Sequence, residues 1–214
     1  GQERGRWTSQ ESDVPGIPVE VPRFHHEAAQ ATRGGFLGLA DHEEDAALYP
    51  QSYDDPTLLG PSRVMSHDIV EFDRDGQILH RVALWDALDR SRIGFDSLES
   101  VRDTGALDWL HANAVLEVPG EEAYLVSLRH QDAVVKISRE GQLLWILGNH
   151  DNWAPEFESL LLAPADGTEW SYHPHAPALS SDGRRVLIFD NGNYRVSPFT
   201  GEETPEFEAQ YSRL

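Results

Sequence analysis

The sequence predicts an all-β protein built from repeated four-stranded units, the architecture of a β-propeller. The first observation is a repeated hairpin: IVEFDRDGQIL at 69–79 and VVKISREGQLL at 134–144 each read as a strand, a charged turn ending in glycine, and a second strand. The second is a repeated unit of a histidine, a short strand, a glycine-containing turn and an apolar strand, with copies beginning at His26, His111 and His175. The two patterns favour a propeller over an all-β sandwich whose hairpins are similar by coincidence.

One copy of the repeat is compact enough to be read as a single blade. It runs over residues 111–147 and contains four strand-like stretches, near the roughly 40–45 residues of a four-stranded blade. We therefore predict one antiparallel four-stranded sheet there. The longer intervals between copies contain insertions at about 41–66, 86–107 and 149–171. We expect these insertions to be loops on one face of the disc, with a short helix between 85 and 110.

The repeats assign the whole chain, residues 1–214, to one propeller domain with blade repeats at about 24–84, 105–148 and 172–214. The third repeat ends at QYSRL before it reaches a glycine hairpin of its own. About three blades are therefore present, and the domain is expected to be incomplete at its C-terminus. An open arc leaves an unpaired strand edge at each end, whereas a closed ring does not. We expect the natural protein to be longer.

The composition of the chain limits the classes of molecule that the protein is expected to bind. Asp and Glu number 37 against 17 Lys and Arg, and the formal net charge of −20 opposes binding to nucleic acid or to an anionic membrane surface. A small anionic substrate stays open if local Arg and His residues reverse the field inside a pocket. The chain has no cysteine, which excludes disulfides, thiolate catalysis and cysteine-based metal sites. No apolar run of about 18 residues is present, and residues 1–16 lack the apolar stretch of a signal peptide.

The histidines that begin the repeats are the first candidate site residues. The first strand of each propeller blade lines the central channel, so equivalent positions in successive blades converge near the axis. We therefore expect His26, His111 and His175 to share one site. Asn113 lies two residues after His111, on the same side of a strand, and Arg129 ends the neighbouring strand YLVSLR. Arginine suits a tetrahedral oxyanion, although a surface ion pair with one of many carboxylates is the alternative for Arg129.

A cluster of imidazoles could instead bind zinc or iron. The sequence has no HExxH motif, and the neighbouring side chains are asparagine and arginine, of which arginine repels a cation. These residues favour an anion site. We therefore predict no metal ligands and no cofactor.

Three segments resemble the bacterial arylsulfate sulfotransferase family. They are DWLHANAV at 108–115, SLRHQDAVVKISREGQLLWILG at 127–148 and HPHAPALSSDGRRVLIFDNGNYR at 173–195. FHHEAAQ, which contains His25 and His26, is similar to the first paired-histidine motif of that family. The resemblance covers roughly residues 24–195 and is densest after residue 105.

The resemblance implies a six-bladed propeller that moves a sulfuryl group from an aryl sulfate to a phenol through a sulfohistidine intermediate, without phosphoadenosine phosphosulfate. It makes His175 the nucleophile. The positions that match those holding the sulfate oxygens or assisting transfer are His26, His111, Asn113 and Arg129. His173, two residues before His175 on the same face of the strand, is the competing nucleophile. The family often has an acidic residue directly after this histidine, where this chain has Ala176.

The implied chemistry is consistent with the residue types. A neutral imidazole is a competent nucleophile, and a phenolate, whose conjugate acid has a pKa of about 10, leaves readily. Ping-pong kinetics follow, with aryl sulfates and phenols as small-molecule partners. The resemblance also implies a periplasmic or secreted protein, and the sequence carries no indication of oligomeric state. The alternative function is a non-catalytic propeller that binds a small molecule or a protein, since a fold alone does not determine function.

Overall fold

The computed structural model describes residues 5–214. Residues 1–4, which belong to the predicted domain and to the N-terminal segment discussed above, lie outside the described residues. Regular structure is almost entirely β-strand, which confirms the all-β class. The described strands are β1 (Trp7–Thr8), β2 (Ile17–Pro18), β3 (Phe24–Gln30), β4 (Phe36–Pro50), β5 (Leu59–Phe72), β6 (Ile78–Ala83), β7 (Leu107–Asp108), β8 (Ala112–Glu117), β9 (Ala123–Leu128), β10 (Ala133–Ser138), β11 (Leu143–Gly148), β12 (Pro174–Leu179) and β13 (Val186–Asp190).

Helical structure is limited to short pieces. The described α-helix, α1, spans Leu84–Ala87, at the start of the region where a short helix was expected. Short 3₁₀ helices span Arg129–Gln131, Glu158–Leu160 and Phe207–Ala209. Over residues 5–214, no helix combines the length and the apolar character that crossing a membrane requires.

Most of the strands form three antiparallel sheets whose strand order follows the chain. Sheet 1 has the order β3-β4-β5-β6, with β7 added parallel to β5. Sheet 2 has the order β8-β9-β10-β11, and sheet 3 pairs β12 with β13. Strands β1 and β2 form a separate parallel pair. Sheet 2 confirms the antiparallel four-stranded sheet predicted over 111–147, and the repeated hairpins are confirmed as β5–β6 and β10–β11.

The turn residues explain why the two repeated hairpins close where they do. Gly76 and Gly141 have φ values of 82° and 87°, a left-handed conformation that glycine adopts without steric cost. In the first turn, the side chain of Asp73 accepts hydrogen bonds from the backbone N–H groups of Asp75 and Gln77. These turns set the register of the strands and therefore which side chains face the core.

One expected loop is instead an extension of sheet 1. Strands β4 and β5 continue through the insertion at 41–66 and stay paired from Asp41 and His67 to Pro50 and Leu59. The charged run HEED and a register shift near Ala46 hide the alternation that marks a strand. Backbone pairing does not need apolar side chains once two strands are already aligned. The insertions at 86–107 and 149–171 are mostly irregular, as expected.

Sheet 2 lies between the other two sheets. Alternate residues of β9 face opposite ways: Tyr124 and Val126 belong to the main core, whereas Ala123 and Leu125 belong to a smaller cluster. The main core joins sheets 1 and 2 through Leu37, Leu39, Val64, Ile69, Val82, Val115, Val135 and Ile137. The smaller cluster joins sheet 2 to sheet 3 through Leu179 and Val186. Strand β8 contacts β3 and β4 of sheet 1 as well as β12 of sheet 3, so the first strands of the three sheets are neighbours.

Candidate functional site

The neighbouring first strands bring the three predicted histidines together. The ring centroid of His26 lies 5.0 Å from that of His111 and 6.1 Å from that of His175. His26 is exposed, and His111 and His175 are partly exposed. The three imidazoles therefore form one group that solvent and a small ligand can reach.

Each first strand is irregular at the point where its histidine lies. The pairing register shifts between His25 and Ala28 in β3, between Ala112 and Ala114 in β8, and between His175 and Ala178 in β12. Left-handed backbone accompanies the shifts, at His26 (φ 50°), His111 (φ 43°) and Ala176 (φ 45°). Such bulges redirect side chains and are common beside active sites, where strained backbone also concentrates. The same distortion in all three copies marks this end of the strands as the site.

The bulge in β8 also separates two residues that were expected to project together. His111 precedes the strand and Asn113 lies within the bulge, so the two-residue alternation does not apply. Asn113 is only 2% exposed. Its Nδ2 donates to the carbonyl of Pro174 at 3.0 Å, and its Oδ1 accepts from the hydroxyl of Ser127. The Asn113 amide therefore links β8 to β9 and to the residue before His175.

Arg129 lies beside the histidines at the start of a 3₁₀ helix. Its backbone N–H donates to the carbonyl of His111 at 3.3 Å. Its guanidinium Nη1 donates to Oδ2 of Asp96 at 3.0 Å. The Arg129 side chain keeps 23% of its surface exposed, so it combines a fixed partner with access from solvent.

Asp96, which was not predicted from the sequence, contacts three other residues in this part of the site. Its Oδ1 accepts from the hydroxyl of Tyr194 at 2.7 Å, and its Oδ2 lies 3.4 Å from Nε2 of His173. The close His173, followed by Tyr194 and Arg129, lowers the pKa of Asp96 against the opposing effect of burial. Asp96 is therefore ionised at neutral pH. It has a left-handed φ of 72° and joins the insertion at 86–107 to sheets 2 and 3.

His173 differs from His175 in its accessibility. It precedes β12, has a left-handed φ of 51° and is completely buried. Its backbone N–H donates to Asp132 at 2.6 Å, and its two ring nitrogens lie 3.5 Å from Asp132 and 3.4 Å from Asp96. His173 and His175 are thus not two positions on one strand face, because the backbone turns between them.

A layer of buried histidines lies behind the exposed rings. The ring of His25 lies 4.4 Å from that of His67. Burial lowers the pKa values of His25 and His130 to about 3, and lowers that of His67 well below its ordinary value. Partial shielding from water, followed by the nearby His111 ring, also lowers the pKa values of His26 and His175. These five imidazoles are therefore neutral at pH 7.

Asp108 orients His111. One carboxylate oxygen accepts the backbone N–H of His111 at 3.1 Å, and the other accepts its Nδ1–H at 2.7 Å. Burial acts to raise the pKa of Asp108, but the hydrogen bond from His111 acts to lower it, and the pKa lies below its ordinary value. An ionised Asp108 keeps the proton of His111 on Nδ1, which leaves Nε2 available to a ligand.

Two groups of side chains have the composition and spacing of metal ligands. They are His25, Asp41 and His67, and Asp108, His111 and His130, with ligand atoms within 4.8 Å of one another in each group. In the second group, Nδ1 of His111 donates to the carboxylate of Asp108 and Nδ1 of His130 donates to its backbone carbonyl. In the first group, Nδ1 of His67 accepts a long hydrogen bond from the backbone N–H of Ala112 at 3.4 Å, whereas Nε2 of His25 and Oδ1 of Asp41 have no hydrogen-bond partner among residues 5–214. No motif spacing identifies this first group, because its members come from three separate strands.

Comparison with known proteins agrees with the family resemblance. The model of the arylsulfotransferase (ASST) family matches residues 5–214. The arylsulfate sulfotransferase AssT of Escherichia coli O6:H1 is 31% identical over 105 residues, covering 41% of this chain and 17% of the relative. The arylsulfate sulfotransferase AssT of Lelliottia amnigena is 25% identical over 175 residues, covering 59% of this chain and 28% of the relative. The chain thus spans under a third of the length of these relatives, and its match to the family model shows that it belongs to the arylsulfotransferase family.

Proposed function

We propose that the protein transfers a sulfuryl group from an aryl sulfate to a phenol, with His175 as the residue that carries the group between the two. The observation behind this proposal is the accessible group of imidazoles at His26, His111 and His175, which lies beside the cation of Arg129. Neutral imidazole is the nucleophilic form. His175 is partly exposed whereas His173 is fully buried between carboxylates, which favours His175.

We also propose that the three sheets are consecutive blades of a six-bladed propeller, with blades at about 24–84, 105–148 and 172–214. Three features support this arrangement. The sheets are antiparallel with strands in chain order, they stack in chain order, and their first strands are neighbours. In a propeller the first strands surround the channel, which places the histidines at the channel mouth.

The transfer proceeds in two balanced steps. In the first, a lone pair of the His175 imidazole attacks sulfur, the bond from sulfur to the aryl oxygen breaks, and a phenolate leaves with the bonding electrons. In the second, the oxygen of an acceptor phenol attacks sulfur, the bond from sulfur to nitrogen breaks, and the phenol proton passes to solvent or to a neutral imidazole. No phosphoadenosine phosphosulfate is required, since the aryl sulfate is the donor.

The surrounding residues have separate tasks in this proposal. Arg129 and His26 donate to the sulfuryl oxygens, whose negative charge is stabilised by donors fixed in advance. Nε2 of His111 is unprotonated in the tautomer that donates to Asp108, so it accepts the proton of the acceptor phenol. Asp108 sets the tautomer of His111. Asn113 acts indirectly. Its hydrogen bond to the carbonyl of Pro174 holds in place the residue that precedes the nucleophile.

Trapping the intermediate tests the proposal. In the natural protein, incubation with nitrophenyl sulfate without acceptor should add one sulfuryl group to a peptide containing His175, detected by intact and peptide mass spectrometry. His175→Ala should lose both the adduct and the transfer to phenol. His173→Ala is the matched control and should keep the adduct. Arg129→Ala should keep the nucleophile but lose about a hundredfold in turnover.

Three outcomes would contradict this assignment. An adduct that His173→Ala abolishes would move the nucleophile to His173. Transfer that persists in both variants would exclude sulfohistidine chemistry on this strand. Tight binding of sulfated phenols without any adduct would support a propeller that only binds.

A further inference from the structure

Three adjacent strands of sheet 1 present His25, Asp41 and His67 at one level. Asp41 of β4 and His67 of β5 are directly opposite in the strand register, so their side chains lie on the same face. His25 of β3 is opposite Leu39, which lies two residues before Asp41 and shares its face. The three side chains therefore meet because of the register, without a local motif.

The spacing of their atoms matches coordination by a metal ion. Nε2 of His25 lies 3.5 Å from Oδ1 of Asp41, and one ligand atom from each of the three residues lies within 4.8 Å of the others. Bonds of about 2.0–2.1 Å from tetrahedral zinc to nitrogen or oxygen place two ligands about 3.3 Å apart. The closest pair is thus near the required separation. His67 becomes the third ligand when its ring rotates and gives up the 3.4 Å hydrogen bond that its Nδ1 accepts from the backbone of Ala112.

Two of these atoms have no other role in the structure. Nε2 of His25 and Oδ1 of Asp41 are buried and have no hydrogen-bond partner among residues 5–214. Asp41 is only 6% exposed. Buried polar atoms are nearly always paired, and an exception needs an explanation such as an ion. A bound cation would satisfy both atoms at once.

The nearby arginines do not occupy the site. Arg23 and Arg102 lie 3.9 Å and 3.6 Å from Oδ2 of Asp41, the oxygen that is not directed at His25. Both are shared with other carboxylates, since Arg23 also pairs with Glu11 and Arg102 with Asp108. The positive charge near Asp41 is therefore already balanced, and Oδ1 stays available to a cation.

We propose that His25, Asp41 and His67 bind one divalent transition-metal ion, for which zinc is the best match. Two imidazoles and one carboxylate form a three-residue zinc set with a fourth position for water. This inference does not rest on sulfuryl transfer.

The ion would also orient an exposed residue. Nδ1 of His25 lies 3.0 Å from Nδ1 of His26. With Nε2 of His25 bound to the metal, Nδ1 of His25 is protonated and donates a hydrogen bond to Nδ1 of His26, as the free ring nitrogen of a metal-bound histidine usually does. The proton of His26 then lies on Nε2, so the ion determines which nitrogen of His26 donates to a ligand.

Zinc binding to the chelator-treated protein tests the site. Isothermal titration with Zn²⁺ should show one ion per chain. Co²⁺ should give the visible absorption of a tetrahedral complex. Asp41→Asn, which keeps the size of the side chain, should weaken Zn²⁺ binding at least tenfold, and His67→Ala should do the same. His150→Ala, which removes an exposed histidine remote from these strands, should leave the binding unchanged.

Circular dichroism identifies any variant that fails to fold, and Asp41→Asn provides the test if His67→Ala does not fold. Absence of Zn²⁺ binding to the unmodified protein would overturn the proposal. Binding that survives the double variant Asp41→Asn/His67→Ala would also overturn it. Loss of binding in His130→Ala, with Asp41→Asn unaffected, would assign the ion to the second group of ligands instead.

Discussion

Asp96 is a single carboxylate that holds several residues of the candidate site in place. It accepts hydrogen bonds from Arg129 at 3.0 Å and Tyr194 at 2.7 Å, and lies 3.4 Å from His173. These partners come from three different parts of the chain. Burial and the nearby carboxylate raise the pKa of Tyr194 to about 12, so its hydroxyl remains a donor at all physiological pH values. Asp96 is therefore a positioning residue for Arg129.

Asp96→Asn should lower kcat for sulfuryl transfer by roughly ten- to a hundredfold, because Arg129 loses the anchor that aims it. Asparagine tolerates the left-handed backbone of Asp96, so the change is mainly one of charge. KM for the aryl sulfate should stay level or fall, since a carboxylate that repels the anion has been removed. Steady-state kinetics measure both values. A rise in KM with kcat unchanged would mean that Asp96 has no positioning role.

Some site residues could be predicted from the sequence and others could not. His26, His111 and His175 were identified because they head repeated units, and Arg129 because it ends the adjacent strand. Asp96 lies in an irregular insertion, where no periodicity exists to place it. Asp108 stands three residues before His111. At that spacing an aspartate side chain can accept the backbone N–H of the later residue, and this was the sequence signal that was missed. The burial of Asn113 could not be predicted, because the register shift between Ala112 and Ala114 interrupts the alternation of the strand.

The segment of irregular chain before β7 behaves as a structural element in its own right. Arg92 is buried and donates from Nη1 to the carbonyl of Gln131 at 2.6 Å. The hydroxyl of Ser97 donates to the carbonyl of Trp109 at 3.2 Å. Gly94 lies so close to the 3₁₀ helix at Arg129–Gln131 that an added Cβ would be 1.9 Å from the carbonyl oxygen of His130. This tight packing holds Asp96 next to Arg129.

Gly94→Ala should destabilise the fold by roughly 1–3 kcal/mol, the usual cost of overpacking, and should separate Asp96 from Arg129. Gly120→Ala is the matched control. Its added Cβ meets no atom within 4 Å, but its φ of 78° is unfavourable for alanine, so it should cost about 1 kcal/mol from backbone strain alone. Urea unfolding measures both changes. Equal losses of unfolding free energy in the two variants would contradict this account. Full transfer activity in Gly94→Ala would also contradict it.

Elements with strong turn chemistry were predictable, and those without it were not. The hairpins that close at Gly76 and Gly141 were identified because charged turn residues and glycine stand between alternating strands. The extension of β4 and β5 through 41–66 was missed because most of its side chains are polar or charged. Cross-strand backbone pairing stabilises this extension, and the pairing leaves no mark in a pattern of hydrophobicity.

Three histidines of the described residues are shielded from water and neutral. His25, His67 and His130 have pKa values lowered by burial, to about 3 for the first and the last. In the unfolded chain each takes up a proton as the pH falls through 6.5, whereas the folded protein does not. Below pH 6.5 the unfolded state thus binds more protons, and stability is lost. Asp41 acts in the opposite direction, because burial raises its pKa from 3.8 to about 6.

The free energy of unfolding should therefore fall between pH 6.5 and about pH 4.5. Three buried histidines are partly offset by Asp41 and Asp132, the two carboxyls whose pKa values burial raises. We expect a net uptake of about one proton on unfolding, or roughly 1.4 kcal/mol per pH unit. Denaturant midpoints of the chelator-treated, metal-free protein across this range measure the slope. His130→Gln should reduce the slope by about one proton. A stability that stays constant from pH 7 to pH 5 would show that these imidazoles are not buried as neutral groups.

At the scale of the whole chain, the all-β class and the three repeats were predictable because each repeat has its own pattern of strands and turns. The stacking of sheet 2 between sheets 1 and 3 was predictable only as part of the propeller. Tyr124 and Leu125 of β9 face opposite cores. The sequence shows this alternation, but it does not indicate which sheet packs on which side. That choice depends on contacts between residues far apart in the chain.

The spatial order of the sheets has a consequence for how the chain reaches its native state. Each hairpin can close as soon as its own residues leave the ribosome, and sheet 2 finds sheet 1 already made. The three exposed imidazoles belong to β3, β8 and β12 or to the residue just before them, so they can meet only after the third sheet has docked. The group of three imidazoles therefore forms only after β12 has been synthesised and has docked.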